Sequence, residues 1–304
     1  MKLKTQALRP VACGAAGLLV AIAAISPRAT PQDTRPLPDR DTFVREARER
    51  LLLDADLLAQ YFYTEREGRT DYDENGKPEK RTEKAYEVSP SVGGSPSYRR
   101  LVSVDGVAVS RQALDAADRR HGRETLDWER ARAQESARDR ARREERVRAD
   151  QREQRRLIDD GFRIYDMRVV GRETIRGRPA IVVTFTPRPG VTATVDGAAM
   201  LTKVVGRAWM DEEDRQMVRI EARSVDTITY GLGILARVFA GSTAVFERQK
   251  VNGEAWLPLR TVIRGSGRIL LVKRVDLETR TDYADYRKVT ANTAASSTVP
   301  KAAR

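Results

Sequence analysis

The side chains that could take part in catalysis are few in this chain, and the single histidine is the first of them. His121 lies beside Arg119, Arg120 and Gly122 in a highly charged stretch. A Ser-His-Asp centre needs an imidazole that is oriented and partly buried, and a zinc site usually combines several His or Cys ligands. The sequence offers neither combination, so we expect His121 to be an exposed residue at a helix end.

One acidic cluster has the spacing of the first half of a calcium loop: Asp71, Asp73, Asn75 and Gly76. The twelfth position of that loop would be a bidentate Glu, but it is Thr82 here. The pair Asn75-Gly76 favours a β-hairpin turn. We therefore expect a hairpin turn at this point and no metal.

A second acidic cluster occupies residues 211–214, with the sequence Asp-Glu-Glu-Asp. Paired carboxylates can transfer protons when contrasting environments separate their pKa values. Four consecutive acids favour a turn in solvent, so we expect a solvated turn. Since no nucleophile, metal set or phosphate-binding loop is visible either, the expectation is a protein that is not an enzyme and has no cofactor.

The N-terminus has the pattern of an export signal, in which basic residues precede an apolar run at residues 11–25 and Ser26-Pro27 ends it. The run is shorter than the roughly 20 apolar residues of a membrane-spanning helix. We expect a signal peptide at residues 1–28, followed by a flexible linker at 29–40. The protein would then lie in the periplasm or cell envelope, anchored in a membrane if the signal is retained. Cys13 is the only cysteine, so the exported chain would lack a disulfide.

The formal net charge of +12 suits a partner with negative charge. Outside the cytoplasm an anionic lipid surface is a better candidate than nucleic acid, and we expect no nucleic-acid partner. A coding bias towards arginine is an alternative explanation of the charge.

The elements that would position any site are a helix and many short strands. Apolar residues recur at helical spacing from Asp41, which we expect to cap the helix, and from residue 61 the period changes to two. Turns are expected at Asn75-Gly76, Asp105-Gly106, Arg176-Gly177, Asn252-Gly253 and Gly265-Ser266-Gly267. This pattern predicts an α+β fold with an antiparallel sheet. Residues 289–304 read as a disordered tail.

A charged insertion interrupts the strands at residues 110–160. Opposite charges four residues apart, such as Asp139 and Arg143, support a helix that is polar on all sides and cannot be core. A break is expected at Gly122. The insertion could be a spacer, could contact an envelope protein, or could lie on an anionic membrane surface.

Several features then occur in a fixed order: the amphipathic helix runs into Tyr61-Phe62-Tyr63, and the segments 206–211 (GRAWMD), 253–258 (GEAWLP) and 282–286 (DYADY) follow. With these features the chain resembles the periplasmic lipoprotein-carrier superfamily with the LolA/LolB-like fold, over residues 41–288 apart from the insertion. The resemblance implies a curved antiparallel sheet, an incomplete β-barrel covered by helices, whose concave side holds acyl chains or other lipophilic ligands. No functional residue of the family can be matched here.

Alternation along the strands predicts which side chains face that concave side. They are Ile181, Val183, Phe185, Val218, Ile220, Leu257, Leu259 and Ile263, with Leu235 and Phe239 in a glycine-bounded apolar run at 231–241 that is either a flap or part of the core. Trp209, Phe246 and Trp256 are large aromatics that could line a cavity, although core packing is the default for such residues.

The function predicted from the sequence is a non-catalytic exported protein that shields a lipid, acyl chain or lipoprotein. The alternative is an envelope scaffold protein that contacts a partner protein through residues 110–160.

Overall fold

The computed structural model of this chain describes residues 35–51, 58–90, 95, 97–230, 236–269 and 273–289. The predicted signal peptide, residues 29–34 of the linker, nearly all of the predicted tail and Leu235 lie outside the described residues. The elements below belong to one compact unit that begins at Pro36.

Three α-helices, a short 3-10 helix and thirteen strands form the described part of the chain. The helices are α1 (Arg40–Leu51), α2 (Arg111–Ala133) and α3 (Ala137–Ile164), and the 3-10 helix covers Asp196–Lys203. The strands are β1 (Tyr61–Tyr72), β2 (Pro78–Ser89), β3 (Tyr98–Val104), β4 (Val107–Ala108), β5 (Tyr165–Ile175), β6 (Arg178–Pro187), β7 (Val204–Asp211), β8 (Met217–Ser224), β9 (Ile228–Tyr230), β10 (Ala236–Val238), β11 (Thr243–Val251), β12 (Ala255–Ile269) and β13 (Lys273–Lys288).

All strands belong to one antiparallel sheet in the order β4-β3-β2-β1-β13-β12-β11-β8-β7-β6-β5, and β10 joins β9 to β12. Over the described residues the end strands β4 and β5 do not pair, so the sheet is not closed. The predicted fold class, an antiparallel incomplete barrel with helices and a charged helical insertion, is confirmed.

The predicted hairpin turns owe their shape to residue pairs in the left-handed region. Asp105-Gly106, Arg176-Gly177 and Asn252-Gly253 all have φ between +51° and +79° at both positions, as a type I′ turn requires. At the fourth hairpin the Asp73 carboxylate accepts hydrogen bonds from the N–H groups of Asn75 and Lys77, at 2.9 and 2.8 Å. All four turns are confirmed.

The turn predicted at residues 265–267 is wrong, because β12 passes straight through it. A Cβ on Gly267 would lie 2.2 Å from the carbonyl oxygen of Arg237, and one on Gly265 would lie 2.5 Å from the Ser242 hydroxyl. These glycines let neighbouring backbone approach the strand closely, and such a close approach is a common reason for glycine inside a strand.

Two expectations about helix ends are also wrong. Asp39, and not Asp41, caps α1, since its carboxylate accepts a hydrogen bond from the Thr42 N–H at 2.9 Å. Helix α2 continues through Gly122, and the break comes where Ser136 caps α3 by accepting a hydrogen bond from the Asp139 N–H at 3.1 Å. The cap residues are local signals, but several candidates lie close together at each end.

The two helices of the insertion contact different parts of the sheet. Helix α2 packs on β3, whereas the C-terminal end of α3 packs on β5, α1 and the 3-10 helix. Residues 145–157 in the middle of α3 are all exposed. In the part of the chain that the structure describes, no helix is both long and apolar enough to cross a membrane.

Candidate functional site

One face of the sheet forms an apolar wall that six neighbouring strands build together. Directly paired residues on adjacent strands share a face. One cross-strand row contains Met167, Phe185, Gly206, Ala222, Ala244 and Ile263, and the row beside it contains Val183, Ala208, Ile220 and Phe246. Since α1 and α3 pack on this same face, it is the concave side of the incomplete barrel.

A cavity of about 540 Å³ lies against this wall. Its other walls come from Val44, Ala47 and Leu51 of α1, Ile158 and Phe162 of α3, and Met200 and Leu201 of the 3-10 helix. The volume falls in the range of roughly 300–1,000 Å³ that small-molecule sites occupy. The arrangement is therefore an apolar container between a sheet and three helical segments.

The cavity is open to solvent along β11 and β12. Phe246 and Ile263 line it, yet their side chains remain 37% and 41% exposed. Large apolar side chains that line a cavity and remain exposed to solvent indicate a binding surface more often than a packing defect.

Arg223 is the single charged residue among the described lining residues, and its side chain belongs to the opposite face. Its neighbour Ala222 faces the cavity, so alternation places Arg223 on the side where Arg219 bonds Glu221. The interior of the cavity thus offers no charge to a ligand from its described lining.

Four of the residues selected by alternation lie in the cavity wall: Val183, Phe185, Ile220 and Ile263. Ile181 shares their face, but it is fully buried beneath Phe43 and Ala47 of α1. Leu257 is fully buried against Tyr61 and Ala255 in a separate cluster.

β-bulges displace two further candidates. Trp209 pairs with Arg219 and Met210 with Met217, which leaves Val218 as the extra residue of a bulge. Leu259 is likewise the unpaired residue where β11 changes register. A bulge reverses the alternation beyond it, and so Met217 lines the cavity and Val218 does not.

The apolar run at 231–241 is described only from residue 236, and Leu235 lies outside it. Phe239 does not line the cavity, because its backbone is held in place: its carbonyl accepts hydrogen bonds from the Ser224 and Ser242 hydroxyls, and its N–H donates to Ser266. Val238 of β10 lines the cavity instead.

The three large aromatics have separate positions. Trp209 is buried on the opposite face of the sheet with Ala180 and Val182, and Trp256 donates a hydrogen bond to Asp214 at 2.9 Å. Phe246 departs from the default of core packing and follows the alternative, since it lines the open side of the cavity. No described helix covers β11 at Phe246, so the Phe246 ring stays partly exposed.

His121 lies in the middle of α2 and is half-buried, so the expectation of an exposed helix end is wrong. Its ring stacks on Tyr98 at 4.2 Å, and the Tyr98 hydroxyl donates to Asp118 at 2.7 Å. Burial, together with that hydrogen bond, raises the pKa of Tyr98 to about 12. Arg100 also donates to Asp118, so this cluster attaches the charged helix to β3.

The acidic turn at residues 211–214 is not a solvated turn. Asp211 is fully buried and accepts hydrogen bonds from Arg178 and from the N–H groups of Glu213 and Asp214. Burial alone would raise the pKa of Asp214, but Lys250 and Trp256 outweigh it and the pKa is lowered. These carboxylates hold the β7–β8 turn together. Over the described residues no group of three or more His, Cys, Asp or Glu could hold a metal.

Asp160 holds one wall of the cavity in place, although no feature of the sequence indicated this role. Its carboxylate is 1% exposed and accepts hydrogen bonds from Arg163, from the Thr194 N–H and hydroxyl, and from the Val195 N–H. Burial would raise its pKa, but these hydrogen bonds prevail and lower it to about 2. Asp160 thereby joins α3 to the segment that leads into the 3-10 helix and its cavity residues Met200 and Leu201.

Comparison with known proteins finds no matching family model and no matching curated protein. Among solved structures the chain is similar to a LolA superfamily protein from Nitrosomonas europaea, with 10% identity and a TM-score of 0.31 over 84% of this chain and 95% of the other. It is also similar to a putative outer membrane lipoprotein-sorting protein domain from Vibrio parahaemolyticus, with 11% identity and a TM-score of 0.31 over 82% and 92%.

A third match is the MucA/MucB complex of Pseudomonas aeruginosa, with 10% identity and a TM-score of 0.22 over 82% and 99%. The name of the first structure contains the superfamily that the sequence resembles. Because all three TM-scores are below 0.5, the fold assignment depends on the strand pairing within this chain.

Proposed function

We propose that this protein is an exported, non-catalytic carrier that shields a lipid, an acyl chain or the acyl chains of a lipoprotein in its concave face. The observation that supports the proposal most directly is the 540 Å³ apolar cavity with Phe246 and Ile263 exposed at its open side. The predicted export signal supports a location in the periplasm or cell envelope, where the protein would meet such ligands.

The driving force would be burial of the ligand's hydrocarbon. Each buried CH₂ group contributes about 0.8 kcal/mol. Because the described wall offers no inward charge, the cavity would discriminate among acyl chains by length and not by a fixed polar contact. Affinity should therefore rise steadily with chain length until the cavity is full.

The proposal is tested by titrating the delipidated protein with a fluorescent fatty acid. Ala244 faces the cavity in the middle of the wall, so Ala244→Phe would fill the space and lower the affinity at least about tenfold, as loss of two CH₂ contacts implies. Val245→Phe is the matched control, since Val245 lies next on the same strand and faces the other side of the sheet.

Equal affinities for wild type, Ala244→Phe and Val245→Phe would show that the fatty acid binds elsewhere. The unfolding midpoint of each variant, measured in urea, would establish that the comparison involves folded proteins. Saturation near one fatty acid per chain is expected for wild type.

The second candidate function is a scaffold that contacts a partner protein through the arm, residues 137–157 of α3. The exposed stretch at 145–157 favours it, since no residue that the structure describes covers this part of the helix and its surface is available for contact. Arg138, Arg142 and Arg146 share one face at four-residue spacing. Changing all three to Glu should abolish retention of an envelope partner and leave fatty-acid binding unchanged if the scaffold function is real.

The absence of catalysis is part of the proposal. Incubation with ester and glycoside substrates should release no product above the rate in buffer, and a saturable release would replace the carrier function by an enzymatic one.

A further inference from the structure

The concave face does not end at the apolar wall but continues as a strip of hydroxyl groups on β12 and β13. Thr261 pairs directly with Phe246, Thr279 pairs directly with Ile263, and Thr281 pairs with Thr261. Paired residues share a face, so these three threonines stand beside the open side of the cavity. All three are half-buried. We call Thr261, Thr279 and Thr281 the threonine strip.

The charged side chains next to the threonine strip are already paired with one another. On β1, Glu65 and Glu67 accept hydrogen bonds from Arg99 at 2.8 and 2.6 Å, and Arg69 donates to Asp71 at 2.6 Å. The lysines of this face, Lys80 and Lys84, lie on β2, two strands away from β13. Glu67 and Arg69 pair directly with Thr281 and Thr279, so the charges nearest the strip are of both signs and are already engaged in these ion pairs.

A hydroxyl group both donates and accepts hydrogen bonds, whereas an ionised head group must keep its water or find an opposite charge. The strip also has a supporting hydroxyl, because Tyr283 forms a side-chain hydrogen bond with Thr261. Burial, followed by the nearby Glu65 charge, raises the pKa of Tyr283, so that phenol stays neutral at physiological pH. The hydroxyl groups of the strip are thus neutral and able both to donate and to accept, and the charged side chains beside them are engaged in ion pairs.

We propose that the ligand is an amphiphile with an uncharged, hydroxyl-bearing head group, whose tail fills the cavity while the head hydrogen-bonds the threonine strip. This inference rests on the proposed carrier function and adds the chemical class of the head group. The placement of the strip supports this proposal, since Thr261 and Thr279 are the direct cross-strand neighbours of Phe246 and Ile263.

The test is displacement of a bound fluorescent fatty acid from the full chain by three competitors of equal chain length. They are a monoacylglycerol, the free fatty acid and an alkyl trimethylammonium salt. The monoacylglycerol should compete best. In the triple variant Thr261→Val, Thr279→Val, Thr281→Val, its affinity should fall about tenfold, as loss of one or two net hydrogen bonds implies, while that of the fatty acid stays unchanged.

Valine keeps the branched shape and the strand preference of threonine, so the sheet should persist. Thr70→Val is the matched control, because Thr70 lies on β1 with its side chain on the opposite face from Arg69. If the triple variant unfolds, Thr279→Val alone and the wild-type competitor ranking decide the matter.

Two results would overturn the inference. One is a wild type that prefers the ionised competitors, and the other is a folded triple variant that binds the monoacylglycerol as wild type does. In both cases fatty-acid binding would persist and the carrier function would stand. Failure of every lipid to bind wild type would instead remove the carrier function itself.

Discussion

The local shape of the apolar wall depends on Gly206. It lies in the cross-strand row between Phe185 and Ala222. A Cβ at this position would lie 2.1 Å from the carbonyl oxygen of Glu221 and 2.5 Å from the Phe185 ring. The missing side chain lets the Phe185 ring lie over β7 and lets β8 approach closely. Gly206 was part of the motif that carried the family resemblance, but its contacts could not be known from the sequence.

The replacement Gly206→Ala should destabilise the protein by about 1–3 kcal/mol, because the new methyl group meets backbone that cannot move away. Urea denaturation measures the change in the free energy of unfolding. Gly171→Ala is the control, since a Cβ on that strand glycine meets nothing within 4 Å. A Gly206→Ala variant as stable as Gly171→Ala would contradict this view of the wall.

Among the secondary-structure elements, most hairpin turns could be predicted from local sequence, whereas features that depend on residues far apart in the chain were missed. Turn pairs such as Asn252-Gly253 act through their own backbone conformation, so the sequence reveals them directly. A bulge depends on two strands, and for that reason alternation misplaced Val218 and Leu259. Helices over the concave side were expected, but the helical residues that line the cavity were missed, since Phe162 and Met200 reach it only through tertiary packing.

Asp160 fastens one of those walls, and its lowered pKa makes the attachment sensitive to acid. A carboxylate whose folded pKa lies below its unfolded value stabilises the fold above the unfolded pKa. That contribution is present above about pH 4 and is lost as the pH falls towards 2. The attachment should therefore be intact at neutral pH and fail only in strong acid.

The variant Asp160→Asn should lower the free energy of unfolding by about 1–3 kcal/mol at pH 6, because the Thr194 and Val195 donors keep a weaker partner. The difference from wild type should shrink as the pH falls from about 4 to about 2. Asp159→Asn is the control, since Asp159 pairs with Arg48 on the exposed side of α3. A difference that is independent of pH would contradict the assignment of the stabilising charge to Asp160.

At the scale of the whole molecule, the two faces of the sheet carry different chemistry. On the face opposite the cavity, Arg219, Glu247, Arg260 and Asp282 alternate in sign along one cross-strand row. These ion pairs are half-buried at the surface and each contributes little stability, but they keep that face hydrated and disfavour register slips. The apolar face is thereby left as the one available to a lipophilic ligand.

Native mass spectrometry of protein purified from its own cell envelope would show whether the concave face holds a lipophilic ligand. We predict a population whose mass exceeds that of the bare chain by one lipid, which is released on collisional activation. Protein that carries no lipid, and that still binds none after mixing with fatty acids and monoacylglycerols, would contradict the proposed carrier function.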